Sequence, residues 1–315
     1  MPERFARWED SGLPPGTPGT VVTVGTFDGV HRGHWDVLTR IAARGRTTGL
    51  ASVLVTFEPH PLEVVNPAAA PPLLTLAPEK LEVVAESGLD YMAIVPFTPE
   101  LRAYSAAQFV DEILRRRFHV RELVIGYDHG FGRGREGDVE VLRTLGAARG
   151  FGVEVVAAVA TEDGRPISST MIRRAVAGGD LAHARRALGR LYSVSGVVRR
   201  GAGRGRTIGY PTINVPAPPP RKLLPPEGVY AVRVQTPTGA FGGMMNMGPR
   251  PTFDDPERSL EAHLFGATGE LYGAHVRIEF VARLRDTQRF PSVAALTEQL
   301  ARDAQDAQRA LTALA

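Results

Sequence analysis

Short apolar runs alternate with longer amphipathic stretches through the first half of the chain. The runs are apolar on both faces, which is typical of strands buried in a parallel sheet, and the stretches between them have helical spacing. This alternation predicts an open parallel sheet with helices covering it, an α/β fold. The predicted strands are residues 21–24, 51–57, 91–96, 123–126 and 153–159.

The texture changes after a helical segment at residues 181–191. Beyond it, β-branched residues and glycines follow a period of two, and turn residues separate the runs, so we expect a small antiparallel β-barrel. The predicted strands of this half include residues 229–234, 260–265 and 271–284. The change of texture places two domains at residues 1–186 and 187–315.

A terminal helix is predicted after Ser292, which can cap it. Apolar residues recur along this segment at helical spacing, so we expect one face of the helix to pack on the barrel. That stripe consists of Leu296, Leu300, Ala304, Ala307 and Leu311.

Composition narrows the possible chemistry. The 315 residues include no cysteine, which excludes disulfides, cysteine-ligated zinc and thiol catalysis. Neither of the two lysines, Lys80 and Lys222, follows a glycine, so no P-loop of the GxxxxGK[ST] type is present. Any phosphate chemistry must therefore use backbone N–H groups, histidine, arginine and a metal ion.

Charge and hydropathy also indicate which partners and which cellular location to expect. The net charge of +3 argues only weakly for nucleic-acid binding, and no apolar run is long enough to span a membrane. The charged N-terminus does not resemble a signal peptide. We expect a cytoplasmic protein without nucleic-acid or membrane partners, present as a monomer or a weak homo-oligomer.

Residues 21–34, VVTVGTFDGVHRGH, are the most informative stretch. A strand, a glycine turn and a helix in this order direct backbone N–H groups and a positive helix end toward an anion. His31 and His34 are three residues apart, so their rings would lie side by side, and Gly33 leaves room for a ligand near the backbone. Two imidazoles here suit a transferring phosphate, although a purely structural histidine pair would satisfy the same pattern.

Further polar loops follow other predicted strands, at Glu58 and Tyr127. Because the carboxyl ends of parallel strands share one edge of a sheet, we expect these loops and the loop at Gly25 to line one cleft. The segment 167–174, ISSTMIRR, adds serines at a helix start with an arginine one turn later. It is interpreted as a second anion site or as an ordinary capped helix.

The stretch 201–214, GAGRGRTIGYPTIN, is the second informative region. Its closely spaced glycines suit a flap against phosphates, and Thr212 and Asn214 lie two apart, so that both oxygens face one side of an extended chain. Neutral oxygen ligands suit Mg²⁺ bound to ATP phosphates. The alternatives are a mobile hairpin or an RNA contact, and the lack of interleaved aromatic residues disfavours RNA.

A carboxylate and a histidine alternate with apolar residues at 260–264, LEAHL. The alternation turns Glu261 and His263 away from the core. The pair could bind a metal ion or form the solvated face of a strand.

The glycine turn and histidine pair within residues 21–34 and the segment 167–174 resemble motifs of the adenylyltransferase half of prokaryotic bifunctional riboflavin kinase/FMN adenylyltransferases, also called FAD synthetases. The resemblance implies a Rossmann-like nucleotidyltransferase domain whose catalytic residues are His31, His34 and Arg173. It further implies two groups of binding residues. Those for the nucleotide are Gly25, Thr26, Phe27, Asp28, Gly33, Ser168, Ser169 and Thr170, and those for FMN are Phe57, Pro59, Asp128 and Phe131.

The second half resembles the riboflavin kinase of the same family, whose signature ends in Pro-Thr-Ala-Asn where this chain has Ile213 in place of alanine. By resemblance, Glu261 is the catalytic base, Arg285 and Phe290 contact the flavin, and Thr212 and Asn214 bind the metal. Thr287 stands where an acidic residue is common. The kinase nucleotide residues would be Gly203, Arg204, Gly205, Arg206, Thr207, Gly209 and Pro211.

The resemblance implies two reactions. The second domain would phosphorylate riboflavin with MgATP to give FMN, and the first would join FMN to the adenylyl group of ATP, releasing pyrophosphate and forming FAD. Alternatives are a chain that has kept only one activity, its other domain being a scaffold, and a flavin- or RNA-binding regulator without turnover.

Overall fold

The computed structural model describes residues 13–127, 129–201, 203–250 and 255–314. The chain is divided into two compact units, Met1–Ser169 and Thr170–Ala315. The predicted domain limit at residues 186/187 falls inside the second unit, because α7 (Ser169–Ala177) begins at the division and α8 (Leu181–Leu188) packs on strands of that unit.

The first unit contains one five-stranded parallel sheet, as predicted. The strands are β1 (Thr20–Val24), β2 (Ala51–Glu58), β3 (Tyr91–Pro96), β4 (Val120–Gly126) and β5 (Gly152–Val156). Their spatial order is β3-β2-β1-β4-β5. Only β5 is clearly shorter than its predicted span, because its single partner β4 ends at the residue opposite Val156.

Helices cover both faces of this sheet, and successive residues of β1 show it. Val21 belongs to the apolar cluster that includes Leu38 of α1. Val22 belongs to the opposite cluster, with Phe109 and Leu142. The helices of this unit are α1 (Arg32–Thr48), α2 (Pro61–Val65), α3 (Ala77–Ala85), α4 (Pro99–Arg102), α5 (Ala106–Phe109) and α6 (Val139–Arg149), with a π-helical turn at Val110–Arg115 and 3₁₀ turns at Pro67–Ala69 and Arg133–Arg135.

The strand order reverses at β1, which lies between β2 and β4. At such a switch point the connections leave toward opposite faces, and a crevice opens at the carboxyl ends of the strands. The loop that follows β1 contains the predicted phosphate motif.

The second unit contains a six-stranded antiparallel sheet in the order β6-β11-β8-β9-β10-β7. The sheet curls so that the chain just after β6 meets the edge strand β7, through one isolated bridge between Arg199 and Asn214. Its strands are β6 (Tyr192–Val197), β7 (Ile213–Pro216), β8 (Gly228–Thr236), β9 (Gly239–Arg250), β10 (Asp255–Leu264) and β11 (His275–Arg285), and its remaining helices are α9 (Arg204–Thr207) and α10 (Val293–Thr312).

Two details differ from prediction. Residues 204–207 of the predicted flap form α9, one helical turn. Strand β11 begins at His275, because the preceding segment turns at Gly266, Gly269 and Gly273, each with positive φ. The predicted packing of the terminal helix is confirmed, since Ala307 of α10 is fully buried in a cluster with Ala231 and Met244 of the sheet.

Candidate active sites

His31 and His34 stack at the N-terminus of α1. Their ring centroids lie 3.7 Å apart with an interplanar angle of 15°. His31 is the N-cap residue, and each ring accepts from the other residue's backbone: His34 N–H donates to Nδ1 of His31 (3.4 Å), and His31 N–H donates to Nδ1 of His34 (3.3 Å). The two histidines therefore form a reciprocal capping box.

This arrangement defines the tautomer of both rings. An Nδ1 atom that accepts a backbone N–H carries no proton, so a neutral ring carries its proton on Nε2. Nε2 is thus the nitrogen with which either ring can donate to a phosphate oxygen. A Cβ atom at Gly33 would lie 3.2 Å from the ring of His31, so glycine here makes room for the imidazole, whereas the sequence suggested room for a ligand.

Asp28 is buried, with 2% of its surface exposed, and its carboxylate holds another segment of chain. It accepts from the N–H of Leu74 (3.0 Å) and from the N–H (2.9 Å) and hydroxyl (3.2 Å) of Thr75. The residue predicted to bind nucleotide thus anchors the loop after β1.

Lys80 is a member of this site that the sequence did not indicate. Its Nζ donates to the carbonyl oxygen of Thr26 (2.5 Å) and to Oγ1 of Thr56 (3.2 Å). Burial lowers the pKa of the Lys80 ammonium group, and the charges of Asp28 and Glu58 partly offset that effect. Lys80 shares its helix face with Val83 and Val84, and a charged residue at such a position is the signal that could have revealed it.

The two predicted anion motifs of residues 1–186 are joined through Ser169. Its hydroxyl donates to the carbonyl oxygen of Asp28 across 2.8 Å. Ser168 and Thr170 on either side are exposed, and Arg173 lies one turn along α7 from Ser169 and is half-buried.

Phe57 and Phe131, predicted on the FMN side, join one aromatic cluster. Phe109 connects them, with ring centroids 6.1 Å from Phe57 and 4.6 Å from Phe131. Phe57 and Phe131 are each 8% exposed, so little of either ring is available for contact with a ligand in this conformation. Pro59 is exposed beyond the end of β2, and Asp128 lies outside the described residues.

The second unit has a cavity that collects most of the predicted kinase residues. The cavity is partly open to solvent, and its interior and mouth together contain about 1090 Å³ of space free of protein atoms. Its predicted members are Gly203, Gly205, Thr212, Asn214, Glu261, Arg285 and Phe290. Its other lining residues are Ile208, Tyr210, Val229, Met244, Met245, Asn246, His263, Thr287, Gln288, Leu296, Leu300 and Asp303.

One row of paired residues crosses five strands along this cavity. Asn214 pairs with Glu261, and Glu261 pairs with Asn246 on the next strand. The row continues through Val229 to Arg285. All five line the cavity, so sheet register brings the predicted base, metal and flavin residues together. Asn246 in this row was not predicted as a site residue.

The glycine flap is held against the sheet by His263. Its Nδ1 contacts the carbonyl oxygen of Pro211 at 2.8 Å, and its ring meets Tyr210 edge-on. Gly205 is required by close packing, because a Cβ atom there would lie 2.2 Å from the carbonyl oxygen of Tyr210. The predicted flap residues Arg206, Thr207 and Gly209 are exposed and do not line the cavity, and for Arg204 only the backbone is described.

The donor set is compatible with Mg²⁺. Thr212, Asn214 and Glu261 place a hydroxyl, a carboxamide and a carboxylate around one cavity, and hard oxygen donors are what this ion prefers. Ile213 between the first two does not line the cavity.

A parallel α/β unit with a histidine pair at its switch point, joined to an antiparallel unit with a carboxylate in its cavity, defines a two-part transferase that acts on phosphate groups. A family model described as FAD synthetase matches residues 14–171, and one described as riboflavin kinase matches residues 188–311. The chain belongs to the family of bifunctional riboflavin kinase/FMN adenylyltransferases.

Individual relatives agree with this membership. The bifunctional riboflavin kinase/FMN adenylyltransferase of Escherichia coli K12 is 40% identical over 90% of both chains. That of Pseudomonas fluorescens is 40% identical over 96% of both. A solved structure from Streptococcus pneumoniae, named a macrolide-efflux protein, is 30% identical with a TM-score of 0.78 over 91% of this chain and 93% of its own.

The chain is therefore an enzyme of FMN and FAD biosynthesis, with riboflavin, FMN and ATP as its substrates and FAD as its product. Among the described residues, no helix combines the length and the apolar character that a membrane crossing requires.

Proposed function

We propose that the two reactions use separate sites: adenylyl transfer uses the histidine pair of residues 1–186, and riboflavin phosphorylation uses the cavity of residues 187–315. The observation that carries the proposal is the row in which Asn214, Glu261 and Arg285 line one cavity. The domain limit at residues 186/187 is supported by the two matched regions, because the first ends at residue 171 and the second begins at residue 188.

In the kinase site, Glu261 acts as the general base. Its carboxylate removes the proton from the ribityl hydroxyl as that oxygen attacks the γ-phosphate of ATP. Thr212 and Asn214 would hold Mg²⁺, which when bound offsets the charge of the ATP phosphates. The backbone of Gly203 and Gly205 borders the same cavity and lies against the phosphates, and Arg285 and Phe290 lie on the flavin side.

In the adenylyltransferase site, the phosphate of FMN attacks the α-phosphorus of ATP in line, and pyrophosphate leaves. His31 and His34 donate from Nε2 to the oxygens on which charge accumulates, and the loss of one such donor typically costs ~3 kcal/mol. Arg173, one turn after Ser169, remains the predicted arginine of this step. Ser168 and Thr170 beside Ser169, the 25–28 loop and the FMN residues Phe57, Pro59, Asp128 and Phe131 keep their predicted binding roles.

The test is to supply riboflavin and FMN separately, each with MgATP, and to separate the flavin products. We expect FMN and then FAD from riboflavin, and FAD directly from FMN. A chain with one surviving activity would complete only one of these conversions, and a regulator would complete neither. Omitting Mg²⁺ should stop phosphorylation. The monomeric or weakly oligomeric state, the cytoplasmic location and the absence of nucleic-acid or membrane partners remain predictions.

A further inference from the structure

The terminal helix does more than pack on the sheet, because it forms one wall of the kinase cavity. Leu296, Leu300 and Asp303 of α10 all line it. The two leucines belong to the apolar stripe that the sequence predicts. Asp303 lies on the same helix face, three residues after Leu300 and four before Ala307, where the stripe would favour an apolar residue.

Asp303 is 1% exposed and binds Arg285 through both oxygens of its carboxylate. Nε of Arg285 donates to Oδ1 (2.8 Å), and Nη2 donates to Oδ2 (2.7 Å), which is a bidentate pair. Nε2 of Gln299 also donates to Oδ1 (2.9 Å). A buried carboxylate with these partners defines the plane of the guanidinium group and not merely its position.

The remaining contacts of Arg285 restrict it further. Nη1 donates to the carbonyl oxygen of Asp286 (2.8 Å), and the guanidinium group lies 5.7 Å from the centre of the Phe290 ring. Among the described residues, these hydrogen bonds use three of its five N–H groups. The other two, on Nη1 and Nη2, are donors that a ligand in the cavity can use.

Charge distinguishes the two ends of the cavity. Asp303 cancels the positive charge of Arg285, so the pair is neutral overall and offers little attraction to a triphosphate. A neutral pair with directed donors suits uncharged carbonyl oxygens, such as those at the edge of a flavin ring. Asn214 on β7 and Arg285 on β11 stand at opposite ends of the paired row, and the end with the oxygen donors of Thr212 and Asn214 is where phosphates and Mg²⁺ are proposed.

We propose that Asp303 is a positioning residue for riboflavin: it orients Arg285 toward the flavin ring and neutralises it, so that this end of the cavity selects the uncharged substrate. The inference rests on the proposed flavin role of Arg285. Asp303 acts through Arg285 and takes no part in the chemical step.

The test compares D303N with a matched control. The variant keeps the size of the side chain but turns an NH₂ group toward the guanidinium donors, which breaks the bidentate pair. The control is E279Q, because Glu279 is also buried, also pairs with an arginine (Arg233, 2.6 Å) and lies on β11 with Arg285, but does not line the cavity. The KM values for riboflavin and ATP, kcat, thermal unfolding and the conversion of supplied FMN to FAD are measured for both.

We expect D303N to raise the KM for riboflavin about tenfold or more, while the KM for ATP stays within about twofold. E279Q should leave both KM values unchanged. R285Q should raise the KM for riboflavin similarly, and adding D303N to R285Q should have little further effect, since the two residues act as one unit. Should D303N not fold, Q299L keeps the carboxylate but removes one of its donors, and a smaller rise in the same KM is expected.

Three results would overturn the inference: equal changes in both KM values, the same change in E279Q, or additive effects of D303N and R285Q. A wild-type chain that cannot phosphorylate riboflavin would instead contradict the kinase function itself. The two failures are therefore distinguishable.

Discussion

The hydroxyl of Ser169 donates a hydrogen bond to the carbonyl oxygen of Asp28 across 2.8 Å, although the two residues are 141 positions apart in the chain. The bond joins the first residue of α7 to the loop that leads from β1 to the histidine pair. Asp28 in turn anchors that loop through its side chain to residues 74 and 75. The proposed adenylyltransferase site is therefore held together by contacts of residues whose sequence pattern suggested ligand binding.

Asp28→Asn should destabilise the first unit. An amide cannot accept from all three donors of Leu74 and Thr75, and leaving a buried donor unsatisfied costs about 1–3 kcal/mol. Urea unfolding measures the change. Asp36→Asn is the control, because Asp36 pairs with Arg40 on the surface of α1 and its loss should cost less than about 1 kcal/mol. Equal effects of the two variants would mean that Asp28 is not an anchor.

His31→Ala combined with His34→Ala should abolish FAD formation and leave FMN production near normal. The loss of one electrostatic donor reduces turnover by about 10²–10³-fold, and this variant removes both. Flavin products are separated after incubation of riboflavin with MgATP. Kinase turnover of the same variant is the internal control. An equal fall in FMN production by a folded variant would show that the two reactions do not use separate domains.

Lys80→Met should reduce adenylyl transfer and spare the kinase, because it releases the carbonyl of Thr26 from Nζ. The stability difference between wild type and variant should also depend on pH. Burial lowers the pKa of Lys80 in the native protein, so between that value and the ordinary one the unfolded chain binds more protons. Wild-type stability should therefore rise with pH relative to Lys80→Met in that window, and a constant difference would contradict the burial of the ammonium group.

Glu261→Gln should reduce riboflavin phosphorylation by about 10²–10⁴-fold, the usual contribution of a general base. Supplied FMN should still be converted to FAD at the wild-type rate. Glu270→Gln, an exposed carboxylate in the same unit, is the matched control and should leave both activities unchanged. Normal kinase turnover in Glu261→Gln would remove Glu261 as the base.

The sequence predicts the fold well where hydrophobic pattern and secondary structure agree. Runs that are apolar on both faces identify all five parallel strands, because a doubly covered sheet buries both faces of each strand. Strand β9 was not predicted, since glycines at 242, 243 and 248 interrupt its period of two. Backbone hydrogen bonds to β8 and β10 form strand β9, although its side-chain pattern does not predict a strand.

The predicted site residues belong to local sequence motifs. The site residues that were not predicted lie outside those motifs in the sequence but contact motif residues in the structure. Lys80 and Asp303 each occupy a buried helix face, and the residue pattern along these helices did not single out either one as a site residue. Each forms hydrogen bonds with a residue outside its own helix: Lys80 donates to the carbonyl oxygen of Thr26, and Asp303 accepts from Arg285. Spacing along one helix contains no information about such a partner. Asn246 was missed for a related reason, since its place beside Glu261 depends on strand register.

The most direct test of two separate sites is complementation between variants. The His31→Ala/His34→Ala protein and the Glu261→Gln protein are each incubated with riboflavin and MgATP, alone and as an equimolar mixture, and FAD is measured. Neither protein alone should form appreciable FAD, and the mixture should form it, because FMN released by the first is adenylylated by the second. A mixture that forms no FAD, although each protein keeps its remaining activity, would contradict the account.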